Sequence, residues 1–410
     1  MAGVGIPSKG QGERLVVVET HPVQYRVPVY RFLQAKLGIP LVVIYGSDFS
    51  VSGYRDREFQ STFAWDTDLL TGYKSVVLNK ARAGSPPMFL HELGLGFERA
   101  VGHLGIGALL LTGYRPPLEQ RAFLYGIRNR IPILFRAEVS DHAERRGRVK
   151  SLLRDGILRR IYGRCFRVLP IGQRARQHFG RLGVEGQRMV FSPYCVDTDV
   201  FRRDDETRVR WRQKIRQSLD IGDHQDVLLF SGKLSRRKGV DLLLPAIALL
   251  PPEIQEQIVL LFMGSGKLEV ALKQQAKGFP SGRVRFLGFQ NQTHLSRHYL
   301  AADLLVLPSR RSETWGLVVN EALWHGVPAV VSEQVGCAPD LIEPGRTGEI
   351  YRGDSARDLS AAIQRGLRWI GQPEVREWCW NKIEGYSVGK AAEGIARAYE
   401  EALSLGDGQG

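Results

Sequence analysis

Cysteine is scarce in this chain. There are four among 410 residues (Cys165, Cys195, Cys337 and Cys379), all far apart. With no C-x-x-C pair and no metal-ligand rhythm, a disulfide framework, a zinc module and a thioredoxin-type redox centre are excluded. The thiols read as reduced and either buried or incidental. No stretch approaches the roughly 18 to 20 continuous apolar residues of a membrane-spanning helix. No apolar signal core follows the first charges either, so a secreted protein is not expected. Residues 1–12 are short and glycine-rich, and a disordered tail is expected there. Internal repeats, low-complexity segments and a nucleophile-elbow serine are absent. The histidines are read as offering no metal-binding cluster. A cytoplasmic protein is the expectation.

Positive charge, by contrast, is in excess: 57 Lys/Arg stand against 43 Asp/Glu, a formal net charge of +14. The excess is concentrated in residues 1–200, with 29 basic against 17 acidic side chains, and above all in residues 121–188, with 17 against 5. Such a face suits an acidic partner, either anionic lipid headgroups at the inner face of a membrane or a polyanionic acceptor. A solvated basic face is the plainer reading. Nucleic acid is not expected, because no helix-turn-helix, finger or RNP-type pattern accompanies the charge. Between Gly147 and Cys165, Val149, Leu152, Leu153, Ile157 and Ile161 recur at helical spacing. Arg160 and Arg164 project onto the same face, so this is not a clean interfacial helix.

Short apolar runs alternate with helical stretches along the chain, the pattern of doubly wound parallel sheets. Leu15–Glu19 and Leu41–Tyr45 flank a helical segment from about Val27 to Leu37. Ala108–Leu111, Pro132–Phe135 and Arg167–Ile171 continue the series. A strand then ends in the turn of Met189–Phe201, and a charged stretch, Arg202–Arg216, follows. A second series comprises Val227–Gly232, Ile258–Met263, Val284–Leu287, Leu304–Leu307 and Ala329–Ser332. Residues from about Glu374 to Leu403 are helical by composition. At this length, two domains with sizeable cores are expected.

The most informative segment runs from Ser312 to Pro328. It holds two glutamates, Glu313 and Glu321, separated by seven residues, with Gly316 in the connecting turn and a helix running to His325-Gly326. N–H groups at the start of such a helix are unpaired and favour a phosphate. Glu313 sits just before that end. Glu321 lies about two turns in, but helical side chains lean toward the N-terminus. A diphosphate with a hydroxyl-rich group at each end suits this arrangement: one glutamate for a sugar, one for a ribose. A solvated or ion-paired helix face is the alternative for the pair taken alone. A second phosphate element follows the strand ending at Gly232, where Lys233 and Lys238 flank a short loop and can neutralise charge growing on a leaving diphosphate. For each lysine alone, surface charge is the plain reading.

The string Glu313-Thr314-Trp315-Gly316-Leu317-Val318-Val319-Asn320-Glu321-Ala322-Leu323-Trp324-His325-Gly326-Val327-Pro328 resembles the Glu-x7-Glu signature of the retaining glycosyltransferases of family four. Gly336–Ile350 is similar to that family's next loop, helix and turn. The Lys233–Lys238 loop is similar to its Arg, five-residue step and Lys-Gly motif, with Lys233 standing where Arg is usual. Lys is a point charge where Arg is a planar fork. The resemblance implies the GT-B fold: an α/β protein with two Rossmann-like domains facing across a cleft. The boundaries expected are 13–201 for an acceptor-side domain and 202–373 for a nucleotide-sugar-binding domain. Residues 374–410 are expected as a helix crossing back to the first domain.

On the same resemblance, Glu313 holds sugar hydroxyls and acts in catalysis with Lys238 and Lys233. The donor is held by Glu321, Thr314, Trp315, Gly316, Leu317, Gly232 and Phe289. The glycine pair common after the first strand is absent. Thr20-His21-Pro22-Val23-Gln24-Tyr25 stands there instead, resembling a bacterial branch of the family, with His21 and Gln24 as donor or acceptor contacts. Arg136 and Glu138, at the carboxyl end of a strand, are sugar or acceptor contacts or else a structural pair. Asp197-Thr198-Asp199 has the D-x-D form that binds metal in another glycosyltransferase fold, but its place after Pro193–Val196 makes it a hinge, and no metal or other cofactor is assigned. Gly264-Ser265-Gly266 is similar to a dinucleotide fingerprint but lacks its third small residue.

The activity implied is transfer of a sugar from a UDP- or GDP-linked donor to a glycan or lipid-linked acceptor, with anomeric configuration retained, in polysaccharide, glycolipid or lipid-linked oligosaccharide synthesis. The alternatives are a sugar-nucleotide epimerase or hydrolase on the same scaffold, and a non-catalytic scaffold protein.

Overall fold

Strands covered on both faces need apolar residues at consecutive positions, and this chain supplies them in runs of four to seven. In the computed structural model, which describes residues 13–51, 54–56, 61–63, 67–81, 93–141, 148–201 and 204–407, those runs form two parallel sheets. The expected tail, residues 1–12, lies outside the described residues.

The first sheet comprises β1 (Arg14–Glu19), β2 (Leu41–Ser47), β5 (Lys74–Asn79), β6 (Ile106–Leu111), β7 (Ile133–Phe135) and β8 (Arg167–Val168). A separate antiparallel pair, β3 (Tyr54–Asp56) and β4 (Ser61–Phe63), lies between β2 and β5 in the chain. The second sheet comprises β9 (Asp226–Ser231), β10 (Ile258–Met263), β11 (Val284–Gly288), β12 (Leu304–Leu307), β13 (Ala329–Ser332) and β14 (Gly348–Tyr351). Their orders are β5-β2-β1-β6-β7-β8 and β11-β10-β9-β12-β13-β14. Each reads 3-2-1-4-5-6 within its own domain, the doubly wound order. The direction in which successive strands are added therefore reverses beside β1 in one domain and beside β9 in the other, and ligands of such sheets bind outside the carboxyl ends of the strands there.

Two strands of these sheets and one helix were not foreseen. β5 is an edge strand with its residues half-covered or exposed, so no buried run marks it. β14 is four residues long and begins at a glycine. The helix Asp205–Ser218 starts where only a charged stretch was read, with Asp204 capping it by accepting from Thr207 N at 2.8 Å.

The segment Met189–Val196 carries the chain toward the second domain. The helix Pro373–Glu384 packs on Leu317–Trp324, with Trp380 Nε1 donating to Trp324 O at 3.0 Å. The helix Val388–Asp407 instead lies on the first domain, against the helix Val27–Ala35. Tyr399 Oη donates to Glu13 O, and Ser192 Oγ to Ala391 O, both at 2.8 Å. Ala391, Ala392, Ile395 and Tyr399 join Leu15, Val17 and Leu33 in one apolar core. All four cysteines are buried thiols. No helix among the described residues is long and apolar enough to cross a membrane.

Candidate active site

The segments after β1, β6, β7, β9 and β12 converge between the two sheets, and they carry nearly every residue singled out above. After β12, Gly316 adopts φ 102 and caps the helix Leu317–Trp324. A Cβ there would lie 2.9 Å from Val335 Cγ1, so both the backbone angle and the space call for glycine. The first N–H groups of that helix, from Leu317 on, have no acceptor within it.

Glu313 approaches the site from the preceding loop. Lys238 Nζ, from the loop after β9, forms an ion pair with Glu313 Oε2, and Ser309 Oγ donates to the same oxygen at 2.9 Å. Burial pushes this carboxyl up, but the Lys238 ammonium and the Ser309 hydroxyl outweigh it and hold it below its ordinary value. Glu313 is thus a carboxylate, and Lys238 is the cation that neutralises it.

Glu321 is in a different state. Its side chain is 1 % exposed, and Tyr299 Oη donates to its Oε2 at 2.6 Å. Burial raises its carboxyl to about 7, against the lowering effect of hydrogen bonds from Tyr299 and Tyr25. It lines a cavity of about 130 Å³ together with Gln24, Tyr25, Gly232, Phe289 and Gln292. The Tyr25 hydroxyl approaches Glu321, Gln24 and Gln292 alike. The phenol donates to Glu321, and the two glutamine amides are placed to donate to its oxygen. Glu321 Oε1, Gln24 Oε1 and Gln292 Nε2 are all left without a well-aligned partner among the described residues. Buried polar atoms in that condition cost about 1–3 kcal/mol each, and three in one cavity mark a place that a hydroxyl-bearing ligand would complete. The close approach of Gly264 shapes the same cavity: a Cβ there would stand 1.9 Å from Gly232 O.

On the first domain's side lies a polar cleft of about 450 Å³, lined by Arg26, Thr112, Tyr114, Glu138 and Arg154, with Thr314 contributed by the second domain. Glu138 joins the domains there. Its Oε2 accepts from Thr314 Oγ1 at 2.9 Å, and its Oε1 from Tyr194 Oη at 2.5 Å and Arg26 Nη2 at 3.3 Å. Arg26 Nη1 is 2.6 Å from Glu19 Oε2, which anchors the cleft's floor.

Of the residues expected from sequence, the fold brings Gln24, Gly232, Phe289 and Glu321 to one cavity and Glu138 and Thr314 to the other; Glu313, paired with Lys238, adjoins Thr314 in the chain. Others are placed differently. Arg136 is buried and does not line the cleft: its Nε donates to Ser192 Oγ at 2.8 Å and its Nη2 to Pro193 O at 2.6 Å, which fixes the segment between domains. Trp315 is buried as well, its Nε1 donating to Asn320 Oδ1 at 2.8 Å and its ring against Tyr194 and Tyr386. His21 bonds to Thr20 Oγ1 at 2.8 Å and packs on Phe49. Burial, aided by Arg26, lowers its pKa to about 4, so it is neutral. Lys233 is half-buried beside Gly232 and lines neither cavity.

Tyr25, Arg26, Thr112, Gln292, Tyr299 and Ser309 were missed. Tyr25 closes the Thr20–Tyr25 string without having been given a role and Arg26 directly follows it, and Ser309 stands four residues before Glu313; the other three carry no local signal. Asp197 Oδ1 accepts from Asp199 N at 3.1 Å, a local turn. His294 and His298 do stand four residues apart on the helix Gln292–Ala301, a spacing overlooked in the sequence. Among the described residues, no group of three His, Cys, Asp or Glu is disposed to hold a metal ion.

The family described as glycosyl transferases group 1 matches residues 212–372. Among curated proteins, the D-inositol 3-phosphate glycosyltransferase of Geodermatophilus obscurus is 33% identical over 202 residues, covering 47% of this chain and 43% of that protein. That of Corynebacterium aurimucosum is 30% identical over 227 residues, 53% of this chain and 52% of its own. The chain thus spans about half or less of the length of the curated relatives it matches. Among solved structures, Anabaena HepE in complex with UDP superposes with a TM-score of 0.69 at 16% identity, covering 95% of this chain and all of that one. The sucrose-phosphate synthase of Thermosynechococcus elongatus gives 0.69 at 17%, over 96% of this chain and all of its own. The chain has the GT-B fold, and residues 212–372 of its second domain match the family of group 1 glycosyl transferases.

Proposed function

We propose that the chain transfers a sugar from a UDP- or GDP-linked donor to an acceptor hydroxyl, retaining the anomeric configuration. The observation that carries this reading is the buried, incompletely bonded set of Glu321, Gln24 and Gln292 in one cavity with Gly232 and Phe289, with Glu321 about one turn from the amides at Leu317. Glu321 there accepts from ribose hydroxyls and Phe289 packs on the base. The D-inositol 3-phosphate glycosyltransferases and the UDP-bound HepE support a nucleotide-sugar donor. At about 130 Å³ the cavity is below the roughly 300 Å³ at which ligand sites begin. A whole donor therefore enters when Gln24 and Tyr25, on the first domain, move off the second.

The diphosphate lies against the first turn at Leu317, with Lys238 and Lys233 supplying positive charge, so the proposal requires no metal. Lys238 then exchanges its carboxylate partner for the diphosphate, and Glu313 is released to accept from sugar hydroxyls. As the bond from the anomeric carbon to the phosphate oxygen breaks, the acceptor oxygen bonds that carbon from the same face. The departing phosphate oxygen takes the acceptor's proton. The chain supplies positioning and charge stabilisation, and no covalent nucleophile. The acceptor occupies the cleft at Glu138 and Thr314. The setting proposed is polysaccharide, glycolipid or lipid-linked oligosaccharide assembly in the cytoplasm, with the basic first domain toward an anionic membrane face.

The test is nucleotide release from UDP-, GDP- and ADP-sugars, with and without lipid and glycan extracts, followed by NMR of the product's anomeric proton. Release with one donor that rises on adding an extract, and a product with the donor's anomeric configuration, are expected. Acceptor-independent release would indicate an epimerase or hydrolase. Silence with no donor-induced thermal stabilisation would indicate a non-catalytic scaffold.

A further inference from the structure

Beside the polar cleft is a second cavity of a different character. It measures about 220 Å³ and is walled by Leu111, Phe123, Leu124, Phe135 and Ile161. It shares Gly113 and Tyr114 with the cleft, so the two are contiguous. Protein interiors rarely leave voids much larger than a water molecule, and cavities of about 150 Å³ walled by Leu, Ile and Phe stay dry and take up apolar guests. Besides the Tyr114 phenol, one wall residue, Glu119, is ionisable. Burial, with the nearby Glu19 carboxylate, pushes it up to about 8, and Thr112 Oγ1 donates to its Oε1 at 2.9 Å. Its carboxyl is therefore held toward the neutral form, which suits an apolar guest.

The apolar wall also continues outward. Leu153, Ile157 and Ile161 recur every fourth residue on the helix Arg148–Arg164 and so share one face. Ile161 is in the cavity wall, whereas Ile157 is 57% and Leu153 67% exposed, and Leu124, across the cavity on another helix, is 56% exposed. Exposed apolar side chains in a line that leads from a cavity mouth are what an extended apolar guest would cover.

We infer that this cavity holds the aliphatic tail of an amphiphilic acceptor whose hydroxyl-bearing head lies in the polar cleft at Glu138 and Thr314. The inference rests on the transferase reading for the role of the cleft and on the cavity's own lining for the tail. A tail longer than the cavity continues over Ile157 and Leu153. The exposed Arg160 and Arg164 flank that path and favour an anionic surface around it.

The test uses n-alkyl glucosides from hexyl to decyl, below their micelle-forming concentrations, titrated calorimetrically into the full-length protein. Affinity is expected to rise about fourfold per added methylene until the cavity is filled. Leu124→Trp, which fills the mouth, and Leu124→Glu, which charges it, are expected to flatten that dependence. Val270→Gln, at a position 81% exposed on the second domain, is expected to leave it intact. A flat series in the wild type, or an unchanged slope in both Leu124 variants, would overturn the inference. Donor-induced thermal stabilisation is read in parallel. A steep series without donor binding would uphold the cavity and sink the transferase reading; donor binding with a flat series would do the reverse.

Discussion

Replacing Glu321 by Gln should make the ligand-free protein more stable and the donor complex weaker. The Glu321 carboxyl is raised from 4.5 to about 7, chiefly by burial. Between those values the folded protein keeps the proton that the unfolded chain has lost, so stability falls as pH rises through that window. The full penalty is present above pH 7. A difference of that size corresponds to on the order of 3 kcal/mol. Gln carries no such penalty, and its amide oxygen can still accept from Tyr299. At pH 8, Glu321→Gln is therefore expected to melt about 6–12 °C higher, with the second domain reporting. As pH falls toward 4.5 the two proteins should converge, since the Glu321 side chain is then neutral in the folded protein and increasingly so in the unfolded chain. Glu119, also raised by burial, titrates in both proteins and cancels in the difference. Hydrogen bonds to a charged group contribute about 1.5–3 kcal/mol, so the same variant should bind donor roughly ten- to a hundredfold more weakly. Scanning calorimetry from pH 5 to 8.5, with titration of the donor, reads both. A variant less stable at pH 8, or a melting difference that does not change with pH, would refute the reasoning.

Lys238→Ala removes the cation that holds the Glu313 carboxyl down, so the acid limb of the rate profile should move to higher pH while turnover falls about a hundredfold or more; a pH–rate profile reads both effects. Arg136→Lys should lower the melting temperature, through lost bonds to Ser192 and Pro193, and leave the acceptor KM unchanged; a raised KM would return Arg136 to the cleft. Glu138→Gln should reduce kcat/KM for the acceptor about tenfold, because its contacts with Arg26 and Thr314 weaken, while donor-induced stabilisation persists.

Much of this architecture was legible because a strand buried on both faces has few ways to be written. Ile258–Met263, Leu304–Leu307 and Ala329–Ser332 stand where their apolar runs placed them. The edge strand Lys74–Asn79 escaped notice because an edge tolerates Lys, Ser and Asn. The placement of Glu313, Glu321 and Lys238 was legible because it depends on local spacing around a turn and a helix start. Arg136 was misjudged for the opposite reason: a strand end fixes where a side chain begins, and Ser192 and Pro193, more than fifty residues on, decide where it goes. Tyr299 and Thr112 reach the site from distant strands and helices, and no neighbouring residue announces them. The unlike states of the two glutamates were also hidden, since they come from Lys238 beside one and from burial around the other.

The most direct test of the central claim is donor-dependent nucleotide release by the wild type against Glu313→Ala and the closer isostere Glu313→Gln, each with its melting curve recorded. The account predicts folded variants whose turnover falls at least about a hundredfold while Glu321 still supports donor-induced stabilisation. Near-normal turnover in either folded variant would contradict it.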